Sequence, residues 1–359
     1  MRIAQVAPLF ESIPPKLYGG IERIVYWLTE EMIARGHEVT LFATADSQTT
    51  AQLVPICPRG LRLEQELGVD KAGFHYVMLE QVLKRADEFD IAHFHCDYWH
   101  LPYLRSINIS AITTMHSRLD YKPLSNIYES HPDFNAISIS NAQRKPIPWL
   151  NWQANIYHGL PERQFALDDG SGKYLLFLGR ICPEKRPDRA IEIAKQAKIP
   201  LKIAAKVDPA DTQYYAQEIK PLLNNEYIEY IGEINDAEKQ EVIGKALALI
   251  HPVEFPEPFG IAMIEAMACG TPVVGFRTGS IPEVVDEGIT GFVVDNIPEA
   301  VKAIDKVASL SRKQVREVFE KRFTASRMAE DYLNVYERLM AREKNSNMRS
   351  MVEDSLAIS

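Results

Sequence analysis

The pattern that most constrains the fold is a strand, a glycine and a helix in succession, which occurs twice along this chain. Residues 2–7 form an apolar strand, and a helical repeat of apolar residues follows the pair Gly19 and Gly20. Residues 173–180 form a second strand that runs into a glycine, with a helical segment at 188–197 after it. Each strand, glycine and helix in succession is typical of the βαβ unit of a parallel sheet. The repetition predicts two Rossmann-like α/β domains.

Further apolar segments predict the remaining strands. In the first half of the chain they are 38–43, 91–95, 111–115 and 136–139. In the second half they are 201–205, 228–231, 247–251, 272–276 and 291–294. Strands that alternate with helices build a parallel sheet covered on both faces.

The domain boundary is predicted near residue 165, because the Gly- and Asp-rich segment 168–172 has the composition of a linker end. The N-terminal domain would then be residues 1–165 and the C-terminal domain residues 166–334. Residues 312–344 read as one long charged helical pattern. We expect the end of the chain, about 335–359, to complete the N-terminal domain.

Size and charge restrict the class of protein. A chain of 359 residues exceeds the usual size of one domain, and 46% hydrophobic with 25% charged residues is the composition of a globular protein. A formal net charge of −9 argues against binding to nucleic acid or to an anionic membrane surface, since both need a basic face. An anionic ligand would therefore need a local site.

The four cysteines are far apart and form no paired spacing, so we expect free thiols in a reducing compartment. The N-terminal apolar run is too short for a secretory signal, and no segment approaches a membrane span. A cytoplasmic protein is expected, with peripheral membrane contact left open.

Residues 251–274 contain the features of an anion site at a helix start. Pro256 and Pro258 stiffen a loop, and Gly260 allows the backbone to approach a ligand closely. Glu257 precedes the helix start and Glu265 lies inside the helix. The first N–H groups of a helix have no partner within the helix and attract anions.

We therefore predict that backbone groups of Phe259, Gly260 and Ile261 bind a diphosphate. Backbone groups around residues 232–235, Ile234 among them, are expected to contact the base of a nucleotide.

Four motifs follow one another along the chain: Gly19-Gly20-Ile21-Glu22, Thr114-Met115-His116, Leu178-Gly179-Arg180 followed by Glu184-Lys185, and Glu257 with Glu265 in a Glu-x7-Glu arrangement. In this order they resemble family 4 of the retaining nucleotide-sugar glycosyltransferases, over nearly the whole chain. The resemblance implies the GT-B fold, with two facing Rossmann-like domains and an interdomain cleft.

The resemblance implies a role for each of these positions. Arg180 and Lys185 match the basic pair that holds the donor diphosphate, and Gly20 would offer it a backbone N–H. The loop after residues 203–207 lacks the glycine that is common in the family, so Lys206 is expected to help hold a phosphate. Solvated surface charges are the alternative interpretation of isolated cations.

Two glutamates and a histidine complete the implied site. Glu265 matches the carboxylate that binds the ribose, since an ionised carboxylate accepts hydrogen bonds from two neighbouring hydroxyls. Glu257 matches the glutamate that faces the donor sugar, and His116 the histidine that contacts the sugar or its phosphate. A helix-surface glutamate, a loop glutamate and a structural strand-end histidine are the respective alternatives.

The segment 93–100 contains enough histidine, cysteine and aspartate for a zinc site. Alternation along a strand places His93 and His95 on one face and Phe94 on the other. We favour a structural role or an acceptor contact over a metal site. For residues 144–152, which include two tryptophans, we favour a packed loop over an acceptor contact.

The implied activity is that of a retaining hexosyltransferase that moves a sugar, with UDP-glucose as the first expected donor, to an acceptor hydroxyl in polysaccharide or glycan biosynthesis. The sequence contains no Asp-x-Asp triplet, the metal signature of the other major glycosyltransferase fold, so we predict a reaction without metal or cofactor. The acceptor stays open between a glycan, a lipid-linked and a small-molecule acceptor.

Two alternatives remain. A nucleotide-sugar epimerase of the same fold would need an added acid and base pair, which the sequence does not offer. A non-catalytic nucleotide-sugar-binding module would not need the basic pair together with both glutamates.

Overall fold

The structure is a computed structural model and describes residues 1–16, 19–62, 70–107, 109–168 and 173–357. It forms two compact units. The first unit comprises Met1–Ile139, Pro146–Ile156 and Ala325–Ser359, and the second comprises Ser140–Lys145 and Tyr157–Thr324. The predicted linker residues 169–172 lie outside the described residues.

Strands of both units are short and parallel. They are β1 (Arg2–Val6), β2 (Glu38–Ala43), β3 (Gln52–Pro55), β4 (Ile91–Phe94), β5 (Ser110–Thr114), β6 (Ala136–Ser138), β7 (Trp152–Asn155), β8 (Leu175–Arg180), β9 (Leu201–Lys206), β10 (Ile228–Gly232), β11 (Ala248–His251), β12 (Val273–Phe276) and β13 (Gly291–Val294).

Helices follow most of these strands. They are α1 (Gly20–Ala34), α2 (Ala72–Lys84), α3 (Lys122–Glu129), α4 (Asn141–Arg144), α5 (Pro187–Ala197), α6 (Thr212–Tyr214), α7 (Asp236–Gly244), α8 (Ile261–Ala268), α9 (Ile281–Val284), α10 (Ile297–Val307), α11 (Arg312–Arg322) and α12 (Ala325–Ala357).

Each unit has one open parallel sheet with the strand order of a Rossmann-like fold. The first sheet has the order β3-β2-β1-β4-β5-β6-β7, and the second has the order β10-β9-β8-β11-β12-β13. The order reverses between β1 and β4 in the first sheet and between β8 and β11 in the second. Ligands of open α/β sheets bind beyond the carboxyl ends of the strands at such a reversal.

Burial explains which strands the sequence predicts well. The central strands β4 and β11 are buried along their whole length, and their apolar runs mark them. The two strands that the sequence did not predict, β3 and β7, lie at the edges of the first sheet and are only half-buried. An edge strand needs fewer apolar residues, so its pattern is weaker.

The predicted single helix over residues 312–344 is two helices. Between α11 and α12, the Phe323 carbonyl accepts a hydrogen bond from the Leu160 N–H at 2.9 Å, and Thr324 forms a parallel bridge with Leu160. This extended pairing interrupts the helix, although the apolar stripe continues through it. The chain then enters the first unit at Ala325, ten residues earlier than the sequence suggested, and it first leaves that unit before residue 165.

Within the part of the chain that the structure describes, no helix is both long enough and apolar enough to cross a membrane. The four cysteines are buried free thiols.

Candidate functional site

The reversal point of the second sheet brings together two loops that carry predicted site residues. Arg180 ends β8, and Lys185 lies in the short 3-10 turn that follows. His251 ends β11, and the loop that contains Glu257 leads from it to α8. Because β8 and β11 are neighbours, both loops begin at the same edge of the sheet.

The loop before α8 is held by a second loop, which follows β12. The Thr278 hydroxyl donates to the Phe255 carbonyl at 3.1 Å, and the Ser280 hydroxyl donates to the Phe259 carbonyl at 2.9 Å. The Ser280 N–H donates to the Glu257 carbonyl at 2.9 Å. These bonds fix the backbone on both sides of Glu257.

Gly279 lets the two loops touch. Its φ of 51° lies in the left-handed region, and a Cβ there would overlap the backbone of Glu257 and come within 2.7 Å of the Pro256 carbonyl carbon. The sequence analysis missed this support. Its only signal is a glycine between two hydroxyl residues directly after a buried strand.

Glu257 is a buried carboxylate with a cationic partner. It is 7% exposed and forms an ion pair with Lys185, whose ammonium also lies 4.9 Å from the centre of the Phe255 ring. Burial alone would raise the pKa of Glu257, but the charge of Lys185 and the contact with His251 outweigh it and lower that pKa to about 2. The structure thus joins two predicted site residues directly.

His251 lies beside this pair, and the sequence analysis gave it no role. Its Nε2 is 3.7 Å from a carboxylate oxygen of Glu257 and has no hydrogen-bond partner among the described residues. Burial lowers the pKa of His251, which keeps the ring neutral near pH 7.

Arg180 and Lys206 occupy paired positions on β8 and β9 and share an acidic neighbour. Asp208 lies 3.4 Å from the Arg180 guanidinium and 3.0 Å from the Lys206 ammonium. Asp211 lies 3.4 Å and Glu184 3.6 Å from Arg180. The predicted basic positions are therefore adjacent, but the sequence analysis missed the aspartates that hold them in place.

Glu265 is buried within α8 and is also neutralised. Its carboxylate accepts a hydrogen bond at 2.7 Å from Lys239 of α7, and the side chain of Lys239 is only 15% exposed. A cationic partner of this kind offsets the cost of burying a carboxylate. Lys239 was not among the predicted residues, because nothing in the sequence pairs α7 with α8.

The start of α8 comes directly after the loop that contains Glu257. Gly260 precedes α8 with a φ of 83°, and Ile261 is the first helical residue. The Phe259 ring is buried against the rings of His158 and Phe323, so this residue can offer a ligand only its backbone. Ile234 lies in the loop between β10 and α7, as the sequence suggested.

Two predicted residues belong to the first unit. Gly20 is the first residue of α1, and His116 follows β5. His116 is 7% exposed, and its Nε2 lies 2.9 Å from Nδ1 of His95. Burial lowers the pKa of His116 to about 3, so the ring is neutral.

The histidine-rich segment that begins at the end of β4 packs as the strand alternation predicts. The rings of His93 and His95 are 3.9 Å apart on one face, and Phe94 stacks on His100 at 4.1 Å. Over the described ranges, no group of three or more His, Cys, Asp or Glu side chains is arranged to hold a metal ion.

Two family models match successive parts of the chain. The model "Glycosyltransferase Family 4" matches residues 18–158, and the model "Glycosyl transferases group 1" matches residues 161–324. Between them they match most of both units, including every predicted site residue.

Individual proteins give the same result over nearly the full length. The chain is 21% identical to O-antigen chain mannosyltransferase C of Escherichia coli, across 94% of this chain and 99% of that protein. Among solved structures, sucrose-phosphate synthase from Thermosynechococcus elongatus superposes with a TM-score of 0.78 at 17% identity, covering 95% of this chain and 99% of that one.

A structure of Anabaena HepE in complex with UDP and glucose superposes with a TM-score of 0.74 at 16% identity, covering 94% of this chain and all of that one. At these identities the superpositions establish the fold, which is GT-B, with its two Rossmann-like sheets. The two family models, together with the full-length relative, show that this chain belongs to the family 4 glycosyltransferases and is a transferase enzyme.

Proposed function

We propose that the enzyme transfers a sugar from a nucleotide diphosphate to an acceptor hydroxyl in glycan biosynthesis, with retention of configuration and without a metal ion. The observation that carries this proposal is the buried pair of Glu257 and Lys185 beside the N-terminus of α8. A carboxylate there can accept sugar hydroxyls, while the cation and the helix N–H groups attract the adjoining diphosphate.

The diphosphate would be held by cations already positioned along one sheet edge. Lys185 follows β8, while Arg180 and Lys206 end β8 and β9. A bound diphosphate would compete with Glu257 for Lys185 and with Asp208 for the other two cations. Charge-assisted bonds to phosphate are strong enough for that exchange.

The nucleoside would extend toward Glu265. Its buried carboxylate, paired with Lys239, can accept hydrogen bonds from both ribose hydroxyls. Backbone groups near Ile234 would contact the base. We propose UDP-glucose as the first donor to test, because a structure with the same fold holds UDP and glucose. A GDP-mannose test follows, since one relative is a mannosyltransferase.

In the proposed reaction the acceptor hydroxyl attacks the anomeric carbon from the side of the leaving group. The bond from that carbon to the phosphate oxygen breaks, and the leaving phosphate takes the acceptor proton. Lys185, Arg180 and the N–H groups of α8 stabilise the charge that develops on the phosphate. Glu257 orients the donor sugar. We propose that the first unit binds a glycan or lipid-linked acceptor or a small molecule, and that His116 contacts a sugar or its phosphate.

The test is proton NMR of the purified enzyme with UDP-glucose in EDTA, which follows UDP release and the anomeric configuration of the transferred or freed sugar. We expect release of UDP and an α-configured product. A sugar epimer still attached to UDP would overturn the proposal in favour of an epimerase. Loss of activity in EDTA that returns with a divalent cation would overturn metal independence.

Variants connect the activity to the site. Lys185→Met and Arg180→Gln should each lower kcat at least a hundredfold, because both cations act on the leaving group. The matched control is Lys202→Met on β9, where the ammonium lies over the half-buried Tyr174 ring, 4.7 Å from its centre, away from the predicted site residues. Near-normal kcat in both site variants would refute their roles.

A further inference from the structure

We propose that Gln5 and His95 are positioning residues that fix His116 in the tautomer with a proton on Nε2, so that its Nδ1 accepts a hydrogen bond from a sugar hydroxyl. The proposal rests on the proposed glycosyl transfer for its functional meaning. The tautomer itself can be measured without any substrate.

The three side chains form a row across neighbouring strands of the first unit. Gln5 lies on β1, while His95 and His116 follow the adjacent strands β4 and β5. Nε2 of His95 is 2.8 Å from Oε1 of Gln5, and Nδ1 of His95 is 2.9 Å from Nε2 of His116. All three side chains are buried, so each hydrogen bond needs a donor and an acceptor.

The amide of Gln5 is oriented by its other contacts. Its Nε2 donates to the sulfur of Met32 at 3.3 Å and to the hydroxyl of Tyr336 at 3.4 Å. Rotating the amide by half a turn would place its oxygen against a sulfur that has no proton to donate. Oε1 therefore faces His95 as an acceptor.

This orientation determines the protons of both rings. Because Oε1 of Gln5 only accepts, Nε2 of His95 carries the proton of that bond. A second proton on His95 would place a cation in a buried cluster, 3.9 Å from the ring of His93, which burial opposes. Nδ1 of His95 then accepts, so the bond to His116 is donated by Nε2 of His116.

The neighbouring hydrogen bonds are compatible with this proton order, and they connect the row to Tyr332 and Tyr336 of the C-terminal helix α12. The Tyr336 hydroxyl, which accepts from Gln5, lies 2.6 Å from Nδ1 of His93 and can donate to it. Nε2 of His93 lies 2.7 Å from the Thr114 hydroxyl, which lies 2.8 Å from the hydroxyl of Tyr332. One proton order satisfies these bonds among the described residues from His116 to Tyr332, and in that order Nδ1 of His116 is unprotonated.

An unprotonated Nδ1 limits which group His116 can bind. It can accept a hydrogen bond from a hydroxyl, but it cannot donate one to a phosphate oxygen. Burial keeps the ring neutral, so the second proton that a phosphate contact would need is disfavoured. Of the two groups open to this histidine, the row of side chains selects a sugar hydroxyl.

The first experiment is ¹⁵N NMR of histidine-labelled enzyme, with His116 assigned among the nine histidines by the variant His116→Gln. Nδ1 and Nε2 have different shifts when one is protonated, so the spectrum reports the tautomer without substrate. We expect His116 to be protonated on Nε2 only, from pH 6 to pH 8. Protonation on Nδ1, or a mixture of tautomers, would overturn the proposal whatever the enzyme's activity.

The variant Gln5→Met removes the oxygen that accepts a hydrogen bond from His95. The positions of the protons on His95 and His116 are then no longer fixed. We expect the His116 signal to shift toward a mixture of tautomers, and kcat/KM to fall about tenfold by the loss of one hydrogen bond. The control is His100→Gln, an equally buried histidine bonded to Thr113 at 2.6 Å and outside the row. An unchanged His116 tautomer in Gln5→Met would contradict the role of Gln5. If that variant is unstable, the wild-type spectrum still decides the proposal.

Discussion

At the scale of single residues, the site is built from buried charges that are neutralised in pairs. Glu257 is paired with Lys185, and Glu265 with Lys239. The motifs of the sequence contain both glutamates and Lys185, because Glu265 follows Glu257 by eight residues and Lys185 follows Arg180 by five. Lys239 precedes Glu265 by 26 residues on another helix, and only the folded structure shows that the two meet.

The pair of Glu257 and Lys185 predicts a pH-dependent stability difference. Lys185→Met leaves a buried carboxylate without its cation, so the pKa of Glu257 should rise above its value in the unfolded chain. In the wild type the pKa of Glu257 is about 2 in the folded state and near 4.5 in the unfolded chain. Ionised Glu257 therefore stabilises the fold at pH values above 4.5. This contribution is lost as the pH falls toward 2. In the variant, ionisation instead destabilises the fold as the pH rises.

The measured quantity is the free energy of unfolding by urea at pH 7 and pH 4. Lys185→Met should be destabilised by about 3 to 5 kcal/mol at pH 7, the cost of breaking a buried ion pair, and by clearly less at pH 4. The double variant Lys185→Met/Glu257→Gln should recover much of the loss at pH 7, because no buried charge remains. A penalty that is equal at both pH values would show that Glu257 stays ionised without Lys185.

At the scale of elements, burial decides what the sequence can reveal. The central strands of both sheets have apolar runs that end within a residue or two of the observed bounds, whereas the half-buried edge strands β3 and β7 were missed. The break between α11 and α12 was also missed, since Phe323 and Met328 continue one apolar stripe. A backbone bridge to a distant residue such as Leu160 leaves no local pattern.

The contact between the loops after β11 and β12 predicts that Gly279 is needed for the site as well as for the fold. Gly279→Ala places a Cβ at positive φ and against the backbone of Glu257, so the loop must move. Gly288→Ala is the matched control, because its φ of 73° imposes a similar strain while nothing lies within 4 Å of the added Cβ. The control should lose only the conformational cost, about 1 to 2 kcal/mol of unfolding free energy.

We expect Gly279→Ala to lose more stability than Gly288→Ala and to lower kcat at least tenfold with UDP-glucose, whereas the control keeps its kcat. Urea unfolding and steady-state kinetics measure the two quantities. Equal kcat values in the two variants would mean that the loop after β12 does not position Glu257.

At the scale of the whole molecule, each unit contains a complete parallel sheet and its own buried core. The repeated strand, glycine and helix pattern was enough to predict two α/β domains. It was not enough to place their limits, because the chain passes between the units at four points. The chain re-enters the first unit at Ala325. There Tyr332 and Tyr336 are fully buried, and their hydroxyls bond to Thr114 and His93, respectively.

The division into units predicts where a nucleotide diphosphate stabilises the protein. Apart from Gly20, the residues assigned here to the nucleotide, from Arg180 to Glu265, lie in the second unit. At a hundred times its dissociation constant, UDP should stabilise the conformations that bind it by about 2.7 kcal/mol. Backbone amides that exchange only when the site opens should therefore exchange about a hundredfold more slowly. Hydrogen exchange followed by mass spectrometry measures this segment by segment.

We expect the largest protection in the peptides that contain the end of β8, the loop after β11 and the start of α8. The peptides of β1 and α1, where Gly20 begins the helix, should be protected less. Lys185→Met provides the control for specificity: the same UDP concentration should protect the second unit far less, because the cation paired with Glu257 is gone. Protection confined to the first unit in the wild type would place the nucleotide elsewhere and overturn the assignment of the donor site.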